Sequence, residues 1–352
     1  MRNALISILL LAASSFSYAQ LKFAVSGDSR NCGDVIMPLI AADAHSQGAQ
    51  FYWHLGDLRA MYDIDQDMGM RAGQPHMTIS EYANAAWPDF IENEISAFGT
   101  MPFYLGIGNH ETYLGKTRAD FIGQFADWLN SPTLQAQRLK DDPKDHRVKT
   151  YFHWIQGGVD FIYLDNATPD QFDAMQMAWF TQVLARAETN KDVHSVVVGM
   201  HAVLPDSLTP GHSMNDWPQG AESGRKVYAQ LLAFREKTKK PVYALASHSH
   251  FFVANVFNTE ANRTKKTVIP GWIVGTAGAF RYNMPPTVSE ADQAKTGVYG
   301  YLLGAADAKG GIKFEFREVK ESELSPEARQ KFGPALLDYC FQQNKDPMQV
   351  PR

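Results

Sequence analysis

The stretch Pro241-Val-Tyr-Ala-Leu-Ala-Ser-His-Ser-His250 is an apolar run that ends in two histidines, two residues apart. A short apolar run rich in β-forming residues predicts a buried strand. Imidazole is a common ligand for divalent metals, and two imidazoles just past a strand reach one metal site if the chain bends there. The stretch therefore predicts a strand that delivers His248 and His250 to a metal site.

Four other apolar runs stop in the same way at a side chain that can bind a metal. They are Leu21-Lys-Phe-Ala-Val-Ser-Gly before Asp28, Phe51-Tyr-Trp-His-Leu-Gly before Asp57, Pro102-Phe-Tyr-Leu-Gly-Ile-Gly before Asn109, and His194-Ser-Val-Val-Val-Gly-Met before His201. In sheet-based enzymes, ligands gather at the carboxyl ends of strands. We therefore expect these side chains to converge at one sheet edge.

Strand-like runs alternate with helical patterns in the first half of the chain, which predicts an α/β architecture. Strand candidates lie at 21–27, 50–56, 102–107, 150–155, 159–165, 193–200, 241–247, 251–257, 271–276, 298–304 and 312–318, and the clearest helical patterns lie at 80–98, 171–189 and 222–237. We expect one domain over residues 20–352, with insertions around 58–101 and 112–149. Such long insertions either carry substrate selection or are solvated surface segments.

The first nineteen residues have the order of a secretory signal peptide. Basic Arg2 precedes the apolar stretch from Ala4 to Ala13, and small residues at Ser17 and Ala19 suit a cleavage site. No other stretch of the sequence approaches the length of a membrane span. We therefore expect an exported protein, periplasmic or secreted, without a membrane span after cleavage.

Charge and cysteine content narrow the function classes further. The formal net charge of the 352-residue chain is −5, which does not suit an electrostatic nucleic-acid binder. The chain has two cysteines, Cys32 and Cys340. In an exported protein they are able to form one disulfide, but the sequence leaves their pairing open because it gives no geometry.

The ligand types suit one or two metal ions. Two neighbouring ions need a bridging carboxylate, further oxygen and nitrogen ligands, and open positions. Asp57 suits the bridge because a carboxylate has two oxygens, and Asn109 adds an oxygen without adding negative charge. The three histidine ligands favour Zn, Fe or Mn, and His110 follows Asn109 directly, where it is able to present a proton to a leaving group.

In this order the motifs resemble the calcineurin-like metallophosphoesterase family, and most closely its purple-acid-phosphatase-like branch. The motifs are Gly27-Asp28, Gly56-Asp57, Gly108-Asn109-His110-Glu111, Gly199-Met-His201 and His248-Ser-His250, within roughly residues 21–255. The resemblance implies a two-sheet β-sandwich flanked by helices and a dinuclear centre that hydrolyses phosphate esters. One ion would be held by Asp57, Asn109, His201 and His248, and the other by Asp28, Asp57 and His250, with His110 beside the phosphoryl group.

Two positions depart from the family pattern. The family usually has a histidine two residues after the first aspartate, where this chain has Arg30, and purple acid phosphatases have a tyrosine where this chain has Ala60. Arginine only donates hydrogen bonds and does not ligate a metal. Arg30 would replace the charge of a missing ion, pair with Asp28, or clamp a substrate phosphate in bidentate fashion.

The sequence thus predicts an exported metal-dependent phosphoesterase that acts on a small-molecule phosphoester. One alternative is a metallophosphoesterase-fold protein, catalytically weak or inactive, that binds phosphate or a partner. Another is a serine esterase with a Gly-Asp-Ser motif, in which Ser29 is the nucleophile and Asn109 helps to form an oxyanion hole. That family needs a late Asp-x-x-His motif, and the sequence contains none.

Overall fold

The computed structural model describes residues 20–71, 76–167, 171–289 and 293–342. The predicted signal peptide, residues 1–19, lies outside the described residues. Within the described ranges, no helix is long and apolar enough to cross a membrane.

The strands form two sheets, which confirms the predicted α/β fold with its two-sheet sandwich. One sheet has the order β11-β10-β1-β2-β3 and the other the order β4-β5-β6-β7-β9-β8. The strands are β1 Leu21–Ser26, β2 Tyr52–His54, β3 Phe103–Leu105, β4 Phe152–Gln156, β5 Val159–Leu164, β6 Ser195–Met200, β7 Val242–Ala246, β8 Phe252–Ala254, β9 Gly271–Val274, β10 Tyr299–Ala306 and β11 Ile312–Val319. Each lies within or close to a predicted strand.

The central strands of both sheets are parallel. β1 pairs with β2, and β2 with β3, in parallel register, while β5, β6, β7 and β9 form the parallel part of the second sheet. Antiparallel partners, such as β10 beside β1, continue each sheet outward. Because parallel strands end at the same edge, the motifs that follow β1, β2 and β3 lie side by side, as do those that follow β6 and β7.

The two sheets pack closely through aromatic side chains. Trp53 of β2 is fully buried and packs edge-on against Trp154, with ring centroids 5.2 Å apart. A Cβ atom at Gly199 of β6 would lie 2.4 Å from the Trp53 ring. The glycine in the Gly199-Met-His201 motif is therefore required because the sheets approach each other there.

Helices cover the sheets and also fill the predicted insertions. They are α1 Gly33–Ser46, α2 Gln66–Gly69, α3 Ile79–Asn93, α4 Arg118–Gln124, α5 Ala126–Leu129, α6 Pro132–Asp141, α7 Ala174–Thr189, α8 Pro218–Thr238, α9 Glu260–Lys265 and α10 Pro326–Phe341. The three helical predictions are confirmed as α3, α7 and α8. The short helices of the insertion 112–149 have no long apolar stripe; α4 begins instead at a capping box of Thr117 and Asp120.

Cys32 and Cys340 form a disulfide. The bond joins the residue before α1 to the C-terminal helix α10 across a sequence separation of 308 residues. Both cysteines are fully buried. Cys32, although near Asp28 in sequence, is therefore not a free thiolate that could ligate a metal.

Candidate metal centre

The structure brings together all six residues that the sequence singled out as metal ligands. The ligand atoms of Asp57, His201 and His248 all lie within 4.8 Å of one another, and so do those of Asp28, Asp57 and His250. Asn109 joins the first group, because its Oδ1 lies 3.0 Å from Nε2 of His201. Asp57 belongs to both groups, which is the position that a bridging carboxylate would occupy.

Three of these residues have a left-handed backbone. The φ angles are 60° at Asp28, 58° at Asp57 and 65° at His248. This conformation costs a residue other than glycine on the order of 1–3 kcal/mol and is concentrated at functional sites. Each of the three residues follows the end of a strand, β1, β2 or β7, and the left-handed conformation turns the chain away from the strand direction there.

Backbone carbonyls fix the orientation of two histidines. Nδ1 of His201 lies 3.1 Å from the carbonyl oxygen of Leu55, and Nδ1 of His250 lies 2.5 Å from that of Phe280. Since a carbonyl only accepts, each Nδ1 carries the hydrogen. Each Nε2 instead faces a carboxylate, 3.3 Å from Asp57 for His201 and 3.3 Å from Asp28 for His250. Such outer contacts are typical of metal-binding histidines.

The remaining buried oxygens also fit a metal ion. Oδ1 of Asp28 and Oδ2 of Asp57 are buried, and neither accepts a hydrogen bond from any described residue. Burial alone would lower the pKa of His201, but the carboxylates of Asp57, Asp28 and Glu111 together outweigh burial and raise that pKa to about 9. The centre therefore attracts positive charge and offers electron pairs to it, so these residues suit a bound cation.

Glu111 binds the backbone next to two of the candidate ligands, Asp57 and Asn109. Its carboxylate accepts hydrogen bonds from the backbone N–H groups of Gly108, Asp57 and Leu58, at 2.7, 3.0 and 2.9 Å. It thereby holds the chain after β2 against the chain after β3. Gly108 is needed at this contact, because a Cβ atom there would lie 2.3 Å from Oδ1 of Asp57.

Arg30 lies beside the centre and contacts imidazoles. Its Nη1 donates to Nε2 of His110 at 2.6 Å, and its Nη2 lies 3.3 Å from Nε2 of His250. The side chain is only 3% exposed, and its hydrogen-bond partners do not include the Asp28 carboxylate. Of the roles considered for Arg30, direct pairing with Asp28 is therefore not what the structure shows.

His110 is held in its neutral form by two contacts. Its Nδ1 makes a short hydrogen bond with the carbonyl oxygen of Ala60, so this nitrogen carries the hydrogen and Nε2 accepts from Arg30. Burial, followed by the neighbouring Arg30 guanidinium, lowers the pKa of His110 to about 3. Proton donation by His110 stays a prediction, and it would require Nε2 to leave the Arg30 hydrogen bond.

Sequence reasoning missed two rings that border the centre. His212 lies with its ring centroid 4.9 Å from that of His248, and Tyr282 stacks on His250 at 4.0 Å. Nδ1 of His212 is buried and has no hydrogen-bond partner among the described residues. The sequence could have indicated His212 only through its position in the loop that follows β6 and His201.

The environment of Ser29 disfavours the serine-esterase alternative. Ser29 is fully buried, and its hydroxyl donates to the carbonyl oxygen of Leu58 at 3.1 Å. A serine nucleophile needs a base within hydrogen-bond reach, and this hydroxyl is paired with a backbone acceptor instead.

A second group of buried carboxylates, Asp34, Asp67 and Glu94, also has metal-like spacing. Its centre is filled by the guanidinium of Arg59, which lies 2.6 Å from Asp34, 3.1 Å from Asp67 and 3.2 Å from Glu94. All four side chains are fully buried. This group is therefore a buried ion-pair network centred on Arg59.

Comparison with known proteins finds similar folds among solved structures, but no match to a family model or a curated protein. Among solved structures, the purple acid phosphatase PPD1 from yellow lupin seeds matches 85% of this chain with a TM-score of 0.56 and 16% identity. This chain spans about half of the lupin enzyme, 52% of its length.

Two further solved structures have similar folds. PhoD matches over 86% of this chain and 72% of its own, with a TM-score of 0.51 and 14% identity. A dimetal phosphatase from Danio rerio matches over 85% of this chain and 96% of its own, with a TM-score of 0.52 and 11% identity. These likenesses confirm the resemblance that the motifs indicated: this chain has the fold of the calcineurin-like metallophosphoesterases.

Proposed function

We propose that this chain is an exported, metal-dependent phosphoesterase that hydrolyses phosphate ester bonds of a small-molecule substrate. The observation that carries the proposal is the position of Asp57, which shares one candidate ligand group with His201 and His248 and another with Asp28 and His250. Bound metal ions supply Lewis acidity and activate water for attack on phosphorus. Iron, manganese and zinc all suit these oxygen and imidazole ligands, with one or two ions per chain.

The chain's own residues would bind and orient the phosphate. Arg30 carries a permanent charge, and it lies 3.3 Å from His250 of the candidate ligand set. Its guanidinium is suited to donate two parallel hydrogen bonds to phosphate oxygens. Release from Arg30 would leave Nε2 of His110 free to take up a proton from solvent and to donate it to the departing oxygen.

Export and domain organisation belong to the same proposal. The Cys32–Cys340 disulfide supports an oxidising compartment, in agreement with the signal-like order of residues 1–19. We propose that residues 20–352 form one domain, since the two sheets pack on each other through Trp53 and Trp154.

The experiment is a hydrolysis assay on purified protein loaded separately with Zn, Mn or Fe, with phosphate monoesters, diesters and pyrophosphate as substrates. We expect turnover of at least one class, loss of turnover on chelation, and recovery when metal is returned. A fluorophosphonate probe should not label Ser29. Turnover that persists in the metal-free protein, or covalent labelling of Ser29, would overturn the proposal.

One observation favours a protein that binds phosphate without hydrolysing it. Arg30, which does not ligate a metal, stands where the family has a histidine ligand. In that case the metal-loaded protein would bind inorganic phosphate, measured by calorimetry, and would hydrolyse none of these substrates. The hydrogen bond between Arg30 and His110 favours the enzyme instead, because it places a phosphate-binding group against the residue that faces the leaving group.

A further inference from the structure

Two tyrosines border His110 on the solvent side. Tyr62 and Tyr113 are 49% and 45% exposed, unusually high for large aromatic side chains in this protein. Their ring centroids lie 5.0 and 5.5 Å from that of His110, and 5.9 Å from each other. Together the two rings form an aromatic rim beside the candidate metal centre.

Tyr62 is also connected to the phosphate-binding group of the proposed function. Its hydroxyl accepts a hydrogen bond from Nη1 of Arg30 at 3.3 Å, and the Arg30 guanidinium lies 5.6 Å from the centre of its ring. The same Nη1 donates to His110. A phosphate held by Arg30 would therefore have its ester substituent within reach of the aromatic rim.

The rim has no evident role in folding. Tyrosine rings stabilise a protein when they are buried, yet each of these two residues is about half exposed. The ring contacts that the structure shows for Tyr113 are with Tyr62 and His110. Leu114, which follows it, is 50% exposed. The free ring faces are thus available to a planar ligand.

We propose that Tyr62 and Tyr113 bind a planar aromatic group in the substrate, so that the site prefers phosphoesters with an aryl or nucleobase group over small aliphatic ones. The inference rests on the proposed function and adds a substrate class to it. Stacking of an aromatic group on a protein ring strengthens binding about tenfold.

The first test uses binding, so it does not depend on turnover. Calorimetry on the metal-loaded protein compares phenylphosphonate with methylphosphonate, which share the phosphonate group. We expect about tenfold tighter binding of phenylphosphonate. Tyr113→Leu should remove most of this preference, whereas Tyr113→Phe, which keeps the ring, should retain it. Tyr62→Leu removes both the ring and the hydroxyl that accepts from Arg30, whereas Tyr62→Phe removes only the hydroxyl. Comparison of these two variants separates the effect of the ring from that of the hydrogen bond.

The second test compares kcat/KM for adenosine 5′-monophosphate and ribose 5-phosphate, which release the same kind of primary alcohol and differ by the base. The ratio should favour the nucleotide in the unmodified protein and in both Phe variants, and fall about tenfold in the Leu variants. Absence of hydrolysis of both esters and also of every diester and pyrophosphate in the assay of the proposed function, with the phenyl preference intact, would contradict the proposed function and leave the rim supported. Equal phosphonate affinities, or a preference unchanged in the Leu variants, would overturn the aromatic rim alone.

Discussion

Nη1 of Arg30 lies 2.6 Å from Nε2 of His110, although the two residues are 80 positions apart in the chain. Nε2 must be an acceptor in this contact, since Nδ1 is committed to the Ala60 carbonyl oxygen. The cation that stands where the family has a histidine is therefore directly hydrogen-bonded to His110, the residue proposed to act on the leaving group. Substitutions at Arg30 should consequently affect both metal content and phosphate binding.

Arg30→His tests the first of these effects. It restores the family pattern beside Asp28 and His250, so the number of metal ions per chain should rise toward two. Elemental analysis of the unmodified protein and the variant, purified in parallel, measures this number. Two tightly bound ions already present in the unmodified protein would contradict the interpretation of Arg30 as a substitute for a ligand.

Arg30→Ala tests the second effect. The variant should keep the metal ion of the Asp57, Asn109, His201 and His248 group but bind phosphate more weakly, by about 1.5–3 kcal/mol for the loss of a charge-assisted hydrogen bond. Calorimetric titration with inorganic phosphate measures the difference. Arg225→Ala, at an exposed ion pair with Asp206, is the matched control and should leave the affinity unchanged. Unaltered affinity in Arg30→Ala would exclude a role in phosphate binding.

His201→Ala and His248→Ala each remove one ligand from the group that contains Asp57. Most of the metal content and any hydrolysis should be lost, while the fold survives because both residues lie beyond the ends of strands. Elemental analysis and circular dichroism measure the two outcomes. His194→Ala, at an exposed histidine before β6, is the control. Unchanged metal content in both ligand variants would remove the central interpretation of the site.

Glu111→Gln should weaken metal binding although Glu111 is not in either candidate ligand group. One of the two carboxylate oxygens becomes an NH₂ group, which opposes either the N–H of Leu58 or the N–H groups of Gly108 and Asp57. Loss of such outer support typically costs about 10- to 100-fold in metal affinity. Competition with a chromophoric chelator measures the change, with Glu260→Gln in the short helix α9 as the control. An affinity within twofold of the unmodified protein would show that this support is dispensable.

Stability should depend on pH through His153, far from the candidate ligands in sequence. Burial opposes the charge on His153, but the carboxylates of Asp160 and Asp141 outweigh burial and raise its pKa from 6.5 to about 9. The folded state thus retains a proton that the unfolded state releases. The stabilisation is complete below pH 6.5 and is lost as the pH rises to about 9, by at most about 3 kcal/mol.

Denaturant unfolding at a series of pH values measures this effect. The free energy of unfolding of the unmodified protein should fall across that interval relative to His153→Gln. His146→Gln, at an exposed position, should follow the unmodified protein. Parallel pH profiles for the unmodified protein and His153→Gln would contradict the assignment.

Export predicts a mature chain that begins near Gln20. The basic, apolar and small-residue zones of residues 1–19 stand in the order of a signal peptide. N-terminal sequencing of protein collected outside the cytoplasm checks the cleavage point. Exported protein with Met1 intact would rule out the predicted cleavage.

The strands and the order of the candidate site residues could be read from the sequence, because both depend on local patterns. An apolar run such as Val242–Ala246 is buried on both faces of a parallel sheet, so it is visible without knowledge of its neighbours. The motif residues then stand directly after such runs. The helices α4 and α6 could not be predicted in this way, since their short lengths and caps leave no long apolar stripe.

Only the tertiary structure determined which of these residues contact one another. It placed Asp57 between two ligand groups, paired Cys32 with Cys340, and aimed Nε2 of His201 toward Asp57 through the Leu55 carbonyl. It also brought Arg30 onto His110 and left Tyr62 exposed beside them. The physical reason is that these contacts join residues far apart in the chain, so their distances depend on how the two sheets pack and not on any local pattern.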